Sequence, residues 1–177
     1  MSNKNEDLIK EAYLSIESNG ENIEKYSTII TDKDIWGELL DKAVQNGNGK
    51  LAKLFSERVD EIDDELTIQL FAKALGKEEM NRDRATWLEI ALSKGNRIVG
   101  EKELSELAVI QAMRGRAGVV KVLIDNGATL EGQSALAKFL LKKKLKESIK
   151  IGDRAMVDVL LKMGVKTTHK MREKIEK

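Results

Sequence analysis

Apolar residues recur along this chain in short segments that have one apolar face; three of the four end at a glycine and one at Val59. In the segment VVKVLIDNGATL, relative positions 0, 1, 4 and 5 are held by Val119, Val120, Leu123 and Ile124. At 3.6 residues per turn these positions lie on one face of a helix. Gly127 follows them, and glycine most readily takes the left-handed conformation that ends a helix. The pattern predicts a helix of about two or three turns, which is too short to persist alone.

The same apolar face recurs in three other segments. Its members there are Leu51, Ala52, Phe55 and Ser56; Trp87, Leu88, Ala91 and Leu92; and Met156, Val157, Leu160 and Leu161. The positions that close the four segments, 59, 95, 127 and 164, are spaced by 36, 32 and 37 residues. Periods of this length are typical of solenoid repeats, in which each short unit is stabilised by stacking on its neighbours.

Another apolar helix is predicted before each of these segments. The four predicted ranges are Ile35–Val44, Leu66–Leu75, Leu104–Met113 and Ala135–Ile149. The repeating unit is therefore a helix, a tight turn, a second helix and a short connector. The chain has no proline, only 4% aromatic residues and an apolar content built mainly from Leu, Ile, Val, Ala and Met, which favours an all-α fold.

The segment AVIQAMRGRAGVVKVLIDNGATL resembles the ankyrin repeat. The second half of that repeat has an Ala-rich first helix, an Asn-Gly turn, an apolar second helix and a closing Asn-Gly-Ala. The residues that fit are Ala112, Gly115, Val119, Val120, Leu123, Ile124, Asn126, Gly127 and Ala128, and, in LLDKAVQNGNGKLAKLF, Ala43, Asn46 and Gly47. The resemblance covers residues 34–167 and implies an ankyrin-like α-solenoid of about four to five helix-turn-helix repeats with short connectors.

The chain also departs from the ankyrin pattern. The Thr-Pro-Leu-His tetrapeptide that caps the first helix of an ankyrin repeat is absent, and ELLD at 38–41 and ELAV at 106–109 stand in its place. The segment GKEEMNR adds residues between the helices of the second pair, and the short connectors leave little room for projecting hairpins. Other α-solenoids therefore stay open as alternatives.

We expect one repeat domain over residues 1–177. Within it, residues 1–33 would form a divergent N-terminal cap or repeat, residues 34–167 the repeats, and residues 168–177 a C-terminal tail or cap. The absence of cysteine excludes disulfides and thiolate metal sites. The charged amino terminus does not resemble a secretory signal, and no stretch has the roughly 18 apolar residues of a membrane span. We therefore expect a cytoplasmic protein with no membrane partner.

The net charge of +1 hides a strong asymmetry along the chain. Residues 1–88 hold 12 Lys and Arg against 19 Asp and Glu, a balance of −7. Residues 89–177 hold 19 against 11, a balance of +8. A charge distribution of this kind can steer a partner towards one part of the molecule.

Little in the sequence points to catalysis or to a cofactor. The acidic run DEIDDE, Asp60 to Glu65, lacks the glycine and the spacing of an EF-hand loop. The segment GRAG follows a helix rather than a strand and lacks the Lys-Ser/Thr of a phosphate-binding loop. His169 is the only histidine. We therefore expect no enzyme activity, no cofactor, no metal site and no small-molecule substrate.

The function that we expect is that of a non-catalytic protein–protein interaction scaffold. It would bind another protein through its concave face and connectors, as the ankyrin resemblance implies. A bacterial or viral host-directed factor and a toxin-inhibiting immunity protein both fit this description. The alternative is nucleic-acid binding through the basic C-terminal half, but the acidic N-terminal half and the scarcity of aromatic residues count against it.

The ankyrin resemblance also implies which residues would face a partner. The predicted partner-binding residues are Trp36, Glu38, Arg97, Lys102, Arg114, Arg116, Lys142, Lys143 and Lys144. Two alternatives are open within this set. Trp36 could pack against the preceding unit instead of anchoring a partner, and the run of lysines could be a solvated helix flank. Trp87, in contrast, is predicted to be a core residue.

Overall fold

A computed structural model of the chain describes residues 2–19, 26, 28–76, 83–95 and 99–175. These residues form helices joined by turns and connectors, and no strand occurs among them. The all-α class is therefore confirmed. The helices are α1 Ser2–Asn19, α2 Lys33–Gln45, α3 Gly49–Ser56, α4 Asp64–Leu75, α5 Arg84–Lys94, α6 Glu101–Met113, α7 Ala117–Asp125, α8 Ala135–Ile151, α9 Arg154–Lys162 and α10 His169–Ile175.

The predicted helices agree with the structure, and the predicted apolar faces agree in part. The four predicted first helices correspond to α2, α4, α6 and α8, and the short second helices correspond to α3, α5, α7 and α9. Relative positions 0, 1 and 4 of every second helix are buried. Ile90 and Val159, at position 3, are buried as well, although the four-position face did not include them. Position 5 of the predicted face is buried only at Ser56 and is half-buried at Leu92, Ile124 and Leu161. The buried face therefore differs from the predicted one at positions 3 and 5.

The helices group into two compact units, Met1–Asn96 and Arg97–Lys177. We call them the N-terminal unit and the C-terminal unit. The N-terminal unit contains 13 Lys and Arg and 20 Asp and Glu, whereas the C-terminal unit contains 18 and 10. The charge asymmetry of the sequence is thus an asymmetry between two folded units. That both belong to one continuous repeat domain stays a prediction.

The N-terminal unit is built from two helical pairs. Helix α2 packs against α3, α4 packs against α5, and the second helices α3 and α5 contact each other. Helix α1 packs against α2. The Phe55 ring lies between two other buried rings, with centroid distances of 6.3 Å to Tyr13 and 6.1 Å to Trp36. Trp87 on α5 is fully buried, as predicted.

The C-terminal unit repeats this arrangement. Helix α6 packs against α7 and α8 packs against α9, while α7 contacts α9 and α6 contacts α8. Helix α10 packs against α8 and buries Met171. The segment predicted as a tail or cap at 168–177 therefore contains a helix docked on α8.

One inter-pair hydrogen bond occurs at equivalent positions in both units. The Ile62 amide donates to the Lys94 carbonyl at 3.0 Å, and the Leu130 amide donates to the Met163 carbonyl at 3.0 Å. Each donor lies seven residues after position 4 of one second helix, and each acceptor lies three residues after position 4 of the next. The connector of one pair is thereby fastened to the end of the following second helix.

Left-handed glycines form the turns, as the sequence predicted. Gly115 ends α6 with a φ of 76°, and Gly127 ends α7 with a φ of 102°. The Arg116 amide then reaches the Gln111 carbonyl and the Ala128 amide reaches the Leu123 carbonyl, which is the Schellman pattern. Gly95 ends α5 for another reason. Its φ is −78°, but a Cβ there would lie 2.5 Å from the Thr67 hydroxyl oxygen.

Short polar side chains cap three of the four first helices in place of the missing Thr-Pro-Leu-His motif, whereas α6 begins after Gly100 without a side-chain cap. Asp32 accepts a hydrogen bond from the Asp34 amide, Asp63 accepts one from the Leu66 amide, and Ser134 accepts one from the Ala137 amide. Such caps satisfy amides that have no partner within the helix.

Replacing Leu123 by alanine tests the apolar face of α7. Leu123 is fully buried, so Leu123→Ala should lower the free energy of unfolding by about 2 to 5 kcal/mol. Lys143→Ala, at an exposed position of α8, is the matched control and should change it by less than about 0.5 kcal/mol. Urea unfolding followed by circular dichroism measures both. Equal effects would contradict the assigned face.

Candidate interaction surfaces

Trp36 is part of the core rather than of an exposed surface. It is only 4% exposed, its indole N–H donates to the Ile30 carbonyl at 3.2 Å, and its ring contacts Phe55. It lies on the same buried face of α2 as Leu39 and Leu40. The packing alternative is therefore confirmed, and the prediction of Trp36 as an exposed partner anchor is wrong.

The other predicted partner residues do not gather at one site. Arg97 lies outside the described residues. Arg114 is exposed in the turn between α6 and α7, and the half-buried Arg116 donates from Nη1 to the Gln111 side-chain oxygen at 3.0 Å. Lys102 borders a cleft of mixed charge between α6 and the connector before α8. Glu38, Lys142 and Lys143 border two other surfaces, one in each unit.

Glu38 lies in a cleft of about 530 Å³ between α2, α4 and the connector that leads into α4. We call it the acidic cleft. Lys33 is the one cation that the described residues contribute to its lining, and it is paired with Asp60. The acidic run at 60–65, which lacks the spacing of a calcium-binding loop, supplies four of the lining carboxylates. The carboxylates that line the cleft are Asp34, Glu38, Asp41, Asp60, Glu61, Asp63 and Glu65.

The crowding of carboxylates affects their proton affinity. Partial burial raises the pKa of Asp41, and the nearby charges of Asp63 and Glu65 raise it further, although the Gln45 amide donates to its carboxylate at 2.7 Å. The hydrogen bond from Lys33 lowers the pKa of Asp60. The cleft therefore has a strong negative potential that favours a cationic partner group.

Lys142 and Lys143 border a groove of about 530 Å³ between α8 and α10. We call it the lysine groove. Apolar groups of Phe139, Ile149 and Met171 contribute to its lining, and Phe139 is 64% exposed. No carboxylate of a described residue lines it. Its lysines are Lys142, Lys143, Lys146, Lys150, Lys170 and Lys174.

Lys144 does not belong to the lysine groove. Its side chain is largely covered, and its Nζ lies 3.9 Å from the Glu147 carboxylate on the same helix. The basic run in the sequence is thus divided by the helix: Lys142, Lys143 and Lys146 border the groove, and Lys144 is turned away from it.

Sequence reasoning missed the contribution of α10 to this surface. Lys170 and Lys174 are spaced by four residues and lie on either side of Met171 in the sequence, which is the spacing of one helix face. That spacing was the available signal. It could not place α10 beside α8, because this placement depends on tertiary packing.

Histidine and the acidic side chains are the candidate metal ligands in the described part of the chain. Among them, no group of three or more His, Asp or Glu side chains is placed to hold a metal ion. The exposed His169 lies at the start of α10, with its Nδ1 3.3 Å from the Glu173 carboxylate. No helix in the described part of the chain has both the length and the apolar character needed to cross a membrane.

Comparison with known proteins gives no match to a family model, a curated protein or a solved structure.

Substitution of Asp41 tests the electrostatics of the acidic cleft. A carboxyl group with a raised pKa in the folded state takes up a proton more readily there than in the unfolded chain. Its contribution to stability therefore falls as the pH rises through the folded-state pKa. Asp41→Asn should raise the thermal unfolding midpoint at pH 7, and the gain should shrink as the pH falls through the raised pKa of Asp41 towards the ordinary pKa of aspartate.

Glu57→Gln is the control, because Glu57 is exposed and does not line the cleft. Thermal unfolding followed by circular dichroism between pH 3.5 and 7, a window on either side of the ordinary aspartate pKa of about 3.9, measures both variants. A lower midpoint for Asp41→Asn at pH 7 would contradict the assigned repulsion.

Proposed function

We propose that this chain is a non-catalytic scaffold that binds another protein, built from ankyrin-like stacked helical pairs. The observation that carries the proposal is the hydrogen bond from the connector of one pair to the second helix of the next, at Ile62 in one unit and at Leu130 in the other. Repetition of a backbone contact at equivalent positions is expected of a solenoid, in which each unit contacts its neighbours in the same way.

The turns add support for the ankyrin-like character of these pairs. Gly47, Gly115 and Gly152 all have positive φ at the junction of a first and a second helix. The closing Asn126, Gly127 and Ala128 follow the pattern of the ankyrin repeat. The capping by Asp32, Asp63 and Ser134 differs from that of the family, so the proposed repeats are degenerate ones.

The binding surfaces of the proposed scaffold are the acidic cleft and the lysine groove. The acidic cleft is bordered by two first helices and a connector, which is where the ankyrin resemblance places a partner. The lysine groove lies on the first helix α8. Both surfaces carry charge of one sign, so they would control the rate and the orientation of encounter. Trp36 is buried and therefore offers no apolar contact to a partner. In the lysine groove, apolar contact is available from groups such as Phe139.

Nucleic-acid binding is the second candidate, because six lysines surround a groove that contains one exposed aromatic ring. Phosphates are bound by such lysines, and a base can stack on Phe139. The protein-binding function is favoured because most of the lining that is not lysine is apolar, and because the N-terminal unit would repel a polyanion.

Charge reversal in both surfaces tests the proposed scaffold. The full chain would be used as bait in an extract of its native host at low salt, and the captured protein would then be purified for association kinetics. Glu38→Lys with Glu65→Lys, or Lys142→Glu with Lys143→Glu, should slow association about 10-fold or more, and added salt should mask the difference.

Arg154→Glu with Lys162→Glu is the matched control, since both residues are exposed on α9 and border neither surface. It should leave association nearly unchanged. Recovery of no protein above background, or association that neither double reversal affects, would contradict the scaffold. Tight binding of duplex DNA that weakens steeply with salt would favour the second candidate instead.

A further inference from the structure

We infer that the lysine groove binds an acidic amphipathic helix of a partner protein, with the apolar side chains of that helix on the groove lining and its carboxylates beside the lysines. This inference rests on the proposed protein-binding function and specifies the chemistry of the partner. It follows from the arrangement of the lysines, their lack of carboxylate partners and the apolar groups between them.

Five of the six lysines form two rows along the groove. Lys142, Lys146 and Lys150 follow one another at intervals of four residues on α8, and Lys170 and Lys174 have the same interval on α10. Residues four apart on a helix are neighbours on its surface, one turn of about 5.4 Å from each other. Each row is therefore a ladder of positive charge with the spacing of helical turns. A partner helix with carboxylates at the same interval on both flanks would match the two ladders.

The six ammonium groups have no carboxylate within ion-pair distance in the described part of the chain. The ion pairs of this unit involve Lys121, Lys144 and His169, none of which lines the lysine groove. Like charges held together in this way repel one another, and a bound anionic surface would relieve that repulsion. The unpaired charge thus identifies the sign of the ligand.

The apolar groups identify the ligand as amphipathic. Phe139 exposes 64% of its surface at one end of the groove, and Ile149 and Met171 contribute further apolar atoms. A phosphate or a nucleic-acid backbone would leave these groups in contact with water. An apolar stripe at helical spacing would cover them, which is the established way in which a helix binds a groove.

The length of the groove fits a short helix. Phe139 and Lys150 are eleven residues apart on α8, which corresponds to about 17 Å at 1.5 Å per residue. A partner helix of about three turns would span this distance. The volume of the lysine groove, about 530 Å³, accommodates a few apolar side chains and not a folded domain. The bound element is therefore a segment of the partner.

A designed peptide tests this inference independently of the natural partner. The probe is a fluorescent peptide of about 15 residues, near the length at which an isolated helix can form, with Leu and Phe on one face and Glu on both flanks. Binding to the full chain at low salt is followed by fluorescence anisotropy. The same peptide with Gln for Glu, or with Ala for Leu and Phe, should bind at least about 10-fold more weakly, a loss of about 1.4 kcal/mol.

Groove variants locate the bound peptide. Lys146→Gln with Lys170→Gln, and separately Phe139→Ala, should each weaken binding about 5- to 10-fold, which is the range expected for loss of charge-assisted or aromatic contacts. Arg154→Gln with Lys162→Gln is the control and should bind like the natural chain. All of these positions are exposed, so circular dichroism should show unchanged folding.

Three outcomes would overturn the inference. The first is a peptide affinity that neither groove variant changes, or no binding at all. The second is equal binding of the Ala peptide, which would mean attraction of any polyanion. The third is groove-dependent binding of duplex DNA or of phosphatidylserine vesicles that exceeds binding of the peptide. Capture of a partner through the acidic cleft alone would support the proposed scaffold but contradict the lysine groove as a binding site.

Discussion

The whole fold depends on the packing of short second helices against the neighbouring helical pair. A helix of eight or nine residues, such as α3 or α7, is not stable by itself in water. Its apolar positions become buried only when its own first helix covers one side and the next second helix covers another. The contacts that stabilise each short second helix are therefore the same contacts that join one helical pair to the next.

Much of this architecture could be predicted from the sequence because periodicity and turn chemistry are local properties. The spacing of Val119, Val120 and Leu123 defines a helix face, and Gly127 defines its end. Contacts between distant segments are different. The hydrogen bond from Leu130 to Met163 joins backbone atoms, so no side-chain pattern reveals it. Trp36 shows the same limit. Its burial depends on the carbonyl of Ile30 and on Phe55, two partners from other segments.

The two candidate surfaces were predictable to different degrees. The acidic run at 60–65 and the lysines of α8 are visible in the sequence, and so is the difference in charge between the two halves. What the sequence could not supply was the arrangement of these charges around a cleft and a groove. Asp41 becomes part of the acidic cleft only because α2 packs near the start of α4, and Lys170 becomes part of the lysine groove only because α10 docks on α8. A charge run became a candidate site through tertiary structure.

The connector hydrogen bonds provide the most direct test of the stacked pairs from which the proposed scaffold is built. Amide hydrogen exchange, measured by NMR on the full chain, reports on the Ile62 and Leu130 amides individually. Stacked pairs predict that both amides exchange at least about 1,000-fold more slowly than in an unstructured peptide, as for buried hydrogen-bonded amides of the helices beside them. Exchange of either amide at the rate of an unstructured peptide would mean that the pairs do not stack in this way, and would remove the main support for a repeat scaffold.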